Sequence, residues 1–201
     1  MLEVKSFILG PFGTNTYVVS DDEGNVLLID PACTTPYEEH MLYTYITHLP
    51  CMTDLKIIAT HGHLDHLWGA KWATEQWKTP VLMHEADIPL AQAMQQQYDL
   101  FGVHRTAETF PMESIQPSVF SFQIIHTPGH TPGSICLYWP EEKILLSGDT
   151  LFQMGYGRTD LPGGDMGQLI DSLEHLFTLP EETLVYSGHG NQTTIGAERR
   201  L

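Results

Sequence analysis

Short apolar runs open the chain. Leu2–Leu9, Thr16–Val19 and Val26–Ile29 read as strands, separated by Gly10-Pro11 and by the turn-forming run Asp21 to Asn25. From Pro36 the period changes: Met41, Leu42, Tyr45, Ile46 and Leu49 share one helical face, and Pro50 ends it. Leu55–Ala59 is a short apolar strand that runs straight into Thr60, His61, Gly62 and His63. A helix is predicted to open near Asp65 and to carry Leu67, Ala70, Lys71 and Thr74 among Trp68, Trp72 and Trp77. Pro80–His84 is the next strand, and Glu85 to Gln116 reads as helix and loop with little strand signal.

The second half repeats the alternation. Val119–Ile125 predicts a strand, and Ile135–Trp139 with Ile144–Leu146 a hairpin across Pro140 to Lys143. Asp165, with Gln168 three residues on, predicts a helix start, and Leu169, Ile170, Leu173, Leu176 and Phe177 follow at helical spacing. Thr183–Tyr186 is a last strand before Gly188-His189-Gly190. No low-complexity linker interrupts the pattern, so residues 1–201 are expected to form one α/β domain.

Composition narrows the function. With 201 residues, 42% hydrophobic, the chain is long enough to bury a core without disulfides. Nine Lys and Arg against 25 Asp and Glu leave a net charge of −16, which disfavours nucleic acid and anionic membrane as partners. No signal-peptide pattern opens the chain, and no run approaches the roughly 18 apolar residues of a membrane-spanning helix. Three scattered cysteines, Cys33, Cys51 and Cys136, suit reduced thiols in a cytosol better than a disulfide framework.

Histidine is the residue in surplus, at 11 copies. Four strand ends share one grammar, an apolar run followed at once by a metal-capable side chain: His61-Gly62-His63-Leu64-Asp65-His66, Gly129-His130, Gly148-Asp149 and Gly188-His189. Imidazole and carboxylate suit Zn or Fe, strand ends hold them rigidly, and glycine allows close backbone approach. A lone His-x-His is more often a surface pair than a metal site; the order and shared context of the four carry the weight. Five histidines and two aspartates suit two ions sharing one bridging carboxylate, with positions left for water. His40, His48, His84, His104, His126 and His175 are read as ordinary core or surface histidines.

The segments THGHLDHLWG, TPGHTPGSICLY, LLSGDTLF with GYGRTDLPGGD, and VYSGHGNQTTIGAE resemble the metallo-β-lactamase superfamily, and within it the short glyoxalase II-like hydrolases. The resemblance runs from about Val4 to Glu198. It implies an α/β fold, a four-layer αβ/βα sandwich of two mixed sheets flanked by helices. It also implies that His61, His63 and His130 bind one ion, that Asp65, His66 and His189 bind a second, and that Asp149 bridges them. Two divalent ions are expected, zinc first, with iron or manganese as alternatives. Asp65 and Asp149 are the candidate catalytic carboxylates. Arg158 matches a basic position that contacts the glutathione part of the substrate, and Asp30 an aspartate supporting the ligand loop.

The implied reaction is hydrolysis of a thioester of the S-2-hydroxyacylglutathione type, or a related ester, by a metal-bridging hydroxide. The partner is then a small molecule, with a homo-oligomer left open. The chain stops at Leu201, so the C-terminal helical domain of full-length glyoxalase II enzymes is not expected; Glu85 to Gln116, with Tyr98, Leu100 and Phe101, is the candidate pocket wall. The alternative from another class is a persulfide dioxygenase with one iron on His61, His130 and Asp149. Lactonases and other hydrolases of the superfamily stay open. A true β-lactamase is disfavoured, because those zinc enzymes generally carry Cys where Asp149 stands.

Overall fold

The computed structural model describes residues 2–50, 52–116 and 121–199, in two compact units. Cys51, and Val119 and Phe120 of one expected strand, lie outside the described residues.

The first unit comprises residues 1–83 and 88–114. Its strands are β1 (Glu3–Leu9), β2 (Thr14–Ser20), β3 (Asn25–Ile29), β4 (Asp54–Ile58), β5 (Val81–Met83) and β6 (Met112–Ser114), in spatial order β1-β2-β3-β4-β5-β6. The β1–β2–β3 pairs are antiparallel and the β3–β4–β5–β6 pairs parallel. Parallel strands need crossovers. Helix α1 (Pro36–Thr47) supplies the first, entered through a capping box in which Thr35 and Glu38 satisfy each other's backbone N–H groups. Leu42 and Ile46 are buried in the same cluster as Leu28, Ile57 and Val81. Burying each such side chain contributes about 1.5–3 kcal/mol.

The expected helix from Asp65 through Trp77 is two helices, α2 (Leu64–Leu67) and α3 (Ala70–Trp77). Gly69 marks the break. Its N–H donates to the Pro31 carbonyl at 2.8 Å, and a Cβ there would lie 2.2 Å from Cys33 Sγ. Residues 88–114 add α4 (Ile88–Gln92), α5 (Met94–Leu100) and the edge strand β6, whose polar sequence gave no strand signal.

The second unit comprises residues 84–87 and 115–201. It begins with a single 3-10 turn (Glu85–Asp87) and continues through β7 (Gln123–His126), β8 (Ile135–Trp139), β9 (Ile144–Gly148), β10 (Leu151–Phe152) and β11 (Gly155–Tyr156). Helix α6 (Met166–Leu176), β12 (Leu184–Ser187), β13 (Thr193–Thr194) and α7 (Ile195–Glu198) complete it. The five-stranded sheet has the order β13-β12-β9-β8-β7, and β10 pairs with β11 separately. Helix α6 starts where expected, its Asp165 side chain accepting the Gln168 N–H, and buries Leu169, Leu173 and Leu176 against Ile125, Leu145 and Val185. Both larger sheets are mixed and flanked by helices, which is the α/β class expected from the sequence.

Sheet direction decides where chemistry gathers. In the first unit β3 and β4 run parallel, so Asp30 and His61 leave the same sheet edge. In the second unit β12 is parallel to β9 with Ser187 opposite Gly148, so Asp149 and His189 leave one edge as well. Strand β7 is antiparallel to β8, and β8 to β9, which brings the loop after His126 to that edge too. Carboxyl ends of parallel strands are the usual place for ligand-binding loops. Among the described residues no helix is long and apolar enough to cross a membrane.

Candidate metal centre

In the first unit β4 delivers His61 and His63, and the one-turn helix α2 presents Asp65 and His66; all four are buried. The His61 ring centroid lies 4.8 Å from that of His63 and 4.1 Å from that of His66. Asp65 Oδ2 lies 3.5 Å from His66 Nε2 and accepts the Thr14 hydroxyl at 2.9 Å.

Asp30 organises this group. It sits at φ +50°, a left-handed conformation that Asp tolerates better than most residues, and it is 1% exposed. Its Oδ1 accepts the Thr60 N–H at 2.7 Å; its Oδ2 accepts the Thr60 hydroxyl at 2.7 Å and His66 Nδ1–H at 2.8 Å. Because the Thr60 hydroxyl proton is committed to Asp30, its oxygen is left to accept from His61 Nδ1, 3.1 Å away. Both rings therefore carry their proton on Nδ1 and present the Nε2 lone pair.

Gln97, on α5, holds the loop from the other side. Its Oε1 accepts the Leu64 N–H at 2.9 Å, and its Nε2 donates to the carbonyls of Gly62 at 3.0 Å and Leu90 at 2.9 Å. No local signal marks this role, since Gln97 ends a run of three glutamines of which Gln95 and Gln96 are exposed. Of the residues expected to wall a pocket, Tyr98 is buried in the core, whereas Leu100 and Phe101 stay at the surface, Phe101 edge-on to Phe12.

In the second unit a single oxygen links three of the expected ligands. Asp149 Oδ2 lies 3.6 Å from His130 Nε2 and 3.5 Å from His189 Nε2. His130 Nδ1 donates to the Arg158 carbonyl at 2.7 Å, which again turns Nε2 into the lone-pair nitrogen. The Thr127 and Thr150 hydroxyls, 2.9 Å apart, tie the His130 loop to the Asp149 loop. Glycine is required here by contact. A Cβ on Gly157 would lie 2.0 Å from the Asp149 carbonyl oxygen and 3.0 Å from the His130 ring. Gly129, at φ +133°, lies against the Leu169 backbone, where a Cβ would come within 2.3 Å.

Arg158 contributes its carbonyl to His130, while its guanidinium forks onto Asp160, with Nε and Nη2 at 2.6 and 2.7 Å. The hydrogen bonds from Arg158 hold the Asp160 carboxyl down to about 2. Burial pushes the thiols of Cys33 and Cys136 up to about 12 and about 11, so both are protonated at neutral pH and neither is a ready nucleophile.

The donor set fits divalent metal. His61, His66 and His130 each have Nδ1 engaged by a protein acceptor and Nε2 carrying the lone pair, the outer-sphere pattern of metal-binding imidazoles. Nitrogen and carboxylate oxygen without thiolate suit zinc, iron or manganese.

Comparison with known proteins identifies the family. The family profile described as the metallo-beta-lactamase superfamily matches residues 9–189. The chain is 36% identical over 199 residues to a hydroxyacylglutathione hydrolase, GloC, of Haemophilus influenzae, covering 94% of this chain and 91% of that protein. Among solved structures it resembles TTHA1623 in a di-iron-bound form, at 37% identity and TM-score 0.87, covering 98% of each chain. It also resembles the B3 metallo-beta-lactamase BLEG-1, at 34% identity and TM-score 0.82, covering 99% of this chain and 97% of that one. Sequence and fold agree: the chain belongs to the metallo-β-lactamase superfamily and is a metal-dependent hydrolase of that fold.

Proposed function

We propose that the protein is a binuclear metallohydrolase that cleaves thioesters of the S-2-hydroxyacylglutathione type. His61, His63 and His130 would hold one ion, Asp65, His66 and His189 the other, and Asp149 would bridge them. The observation that carries this reading is Asp149 Oδ2, nearly equidistant from the Nε2 atoms of His130 and His189, a geometry suited to a carboxylate shared by neighbouring ions. The placement of His61 against both His63 and His66 supports it further. The similarity to a hydroxyacylglutathione hydrolase supports the substrate class. Zinc is the first expectation; the likeness to a di-iron-bound protein makes iron the alternative.

When bound, such ions acidify water towards neutral pH and polarise the acyl carbonyl. The chain's own residues do the rest. Asp30, Thr60 and the Arg158 carbonyl fix the imidazole tautomers. Asp65, steadied by the Thr14 hydroxyl, would orient the attacking water or take its proton. The Arg158 guanidinium would receive a carboxylate of the thiol carrier by exchanging Asp160 for it. The partner is a small molecule and the working place the cytosol, consistent with the acidic surface and the two described thiols, both free and buried.

The likeness to a B3 metallo-beta-lactamase makes β-lactam hydrolysis the second reading. One experiment separates the possibilities: metal content of protein purified without chelator, with turnover of S-lactoylglutathione, a cephalosporin and, by oxygen uptake, glutathione persulfide on the same sample. About two metal equivalents with thioester loss is the expected result. One iron with oxygen uptake, or cephalosporin turnover without thioester loss, would overturn it.

A further inference from the structure

The 3-10 turn Glu85–Asp87 lies far from the ligand motifs in sequence, yet residues 84–87 belong to the compact unit that carries His130, although the chain on both sides of them belongs to the other. Asp87 is fully buried. A buried carboxylate is costly unless hydrogen bonds satisfy it. Its Oδ2 accepts the Thr131 hydroxyl at 2.7 Å and its Oδ1 the Gly133 N–H at 2.6 Å, so it grips the loop on both sides of Pro132. The Thr131 hydroxyl proton is thereby committed, and the Ser134 hydroxyl, 2.7 Å away, is left to donate to it. Gly133 packs so closely that a Cβ would lie 2.7 Å from the Asp87 Cβ, Cγ and backbone nitrogen. The same turn is braced a second way. His126 Nε2 donates to the Pro132 carbonyl at 2.9 Å, the His126 ring stacks on His84 at 4.1 Å and 5°, and the His84 carbonyl accepts the Asp87 N–H.

We infer that Asp87 is a positioning residue for His130. By fixing the peptide units immediately after His130, it holds that ring where Nδ1 meets the Arg158 carbonyl and Nε2 faces Asp149. The inference rests on the metal-binding reading above but acts on the protein before any ion arrives.

The test uses two readouts on Asp87→Ala and Asp87→Asn. In metal-free, nitrogen-15-labelled protein, the imidazole spectrum of the wild type should show hydrogen-bonded Nδ1–H signals for both His130 and His66. Asp87→Ala should lose the His130 signal, keep that of His66, and bind one of its Zn²⁺ equivalents roughly 10–100-fold more weakly in chelator competition. Asp87→Asn should fall between, since its amide oxygen can still accept the Gly133 N–H. Leu173→Ala, a core change in the same unit, should keep both signals. If Asp87→Ala does not fold, Asp87→Asn is judged beside Thr131→Val, where the His130 signal should again weaken. An unchanged His130 signal with zinc affinity within about twofold of wild type would overturn the inference. A wild type that binds no zinc would sink the metal reading instead, and the metal-free spectrum would still judge Asp87.

Discussion

The carboxylate of Asp30 accepts the Nδ1 proton of His66 at 2.8 Å while the same oxygen accepts the Thr60 hydroxyl at 2.7 Å. One buried side chain thus fixes the tautomers of two imidazoles, His66 directly and His61 through Thr60. Asp30→Ala should weaken zinc binding by roughly 10–100-fold. It should also cost about 1–3 kcal/mol of metal-free stability, because the Thr60 N–H is left buried without its acceptor. Chelator competition and urea unfolding measure the two effects, and a loss confined to stability would argue that Asp30 only packs.

Asp149 and His48 make a contrasting pair. His48 is exposed, with its ring on the Thr44 carbonyl of the helix it caps, whereas Asp149 stands between two imidazoles. Asp149→Ala should lower kcat/KM roughly 100-fold or more and reduce the metal content, while His48→Ala stays near wild type. Similar losses in both would contradict the ligand assignment.

The Arg158–Asp160 pair is exposed, and surface ion pairs contribute about 0–1 kcal/mol to stability. Breaking it should therefore show in substrate binding and leave the melting temperature almost unmoved. Asp160→Asn should lower KM for a carboxylate-bearing thioester a few-fold, and Arg158→Ala should raise it. In both variants kcat should hold, because the carbonyl that orients His130 belongs to the backbone. KM values indifferent to both changes would remove Arg158 from the substrate site.

The stacked ring of His84 sets a pH dependence. Burial, followed by the neighbouring charge of His126, lowers its pKa below the ordinary 6.5. The folded protein thus binds this proton less readily than the unfolded chain, so the stability tied to neutral His84 is complete above about 6.5 and is lost as pH falls through the folded value. Protonation at Nδ1 would also remove the acceptor for the Ala86 N–H, 3.2 Å away. Melting of metal-free protein from pH 7.5 to 5 should fall more steeply for wild type than for His84→Asn. Parallel curves would show that the stack carries no such linkage.

Apolar patterning located most strands and both long helices, because period and capping are local. Asp165 with Gln168 marks a helix start that is written in the local sequence, whereas the capping box of Thr35 and Glu38 emerged with the fold. The two-residue strands β10, β11 and β13 and the polar edge β6 were missed, since pairing partners rather than side-chain pattern create them. The break at Gly69 was missed for a related reason: a sulfur and a carbonyl distant in sequence close on that residue.

The histidine and aspartate grammar was legible because each of the four motifs follows its own strand, and a strand end is a local signal. Which nitrogen of each ring is left to bind is not local. It depends on Asp30, 36 residues from His66, and on the Arg158 carbonyl, 28 residues from His130. Asp87 and Gln97 were silent in the sequence because a lone carboxylate, or one amide in a run of three glutamines, looks like a solvated side chain. Sequence determined which chemical groups the protein possesses and which elements carry them; tertiary structure decided which hydrogen bonds those groups make, because hydrogen-bond direction is set only when distant backbone and side chains are packed together without water.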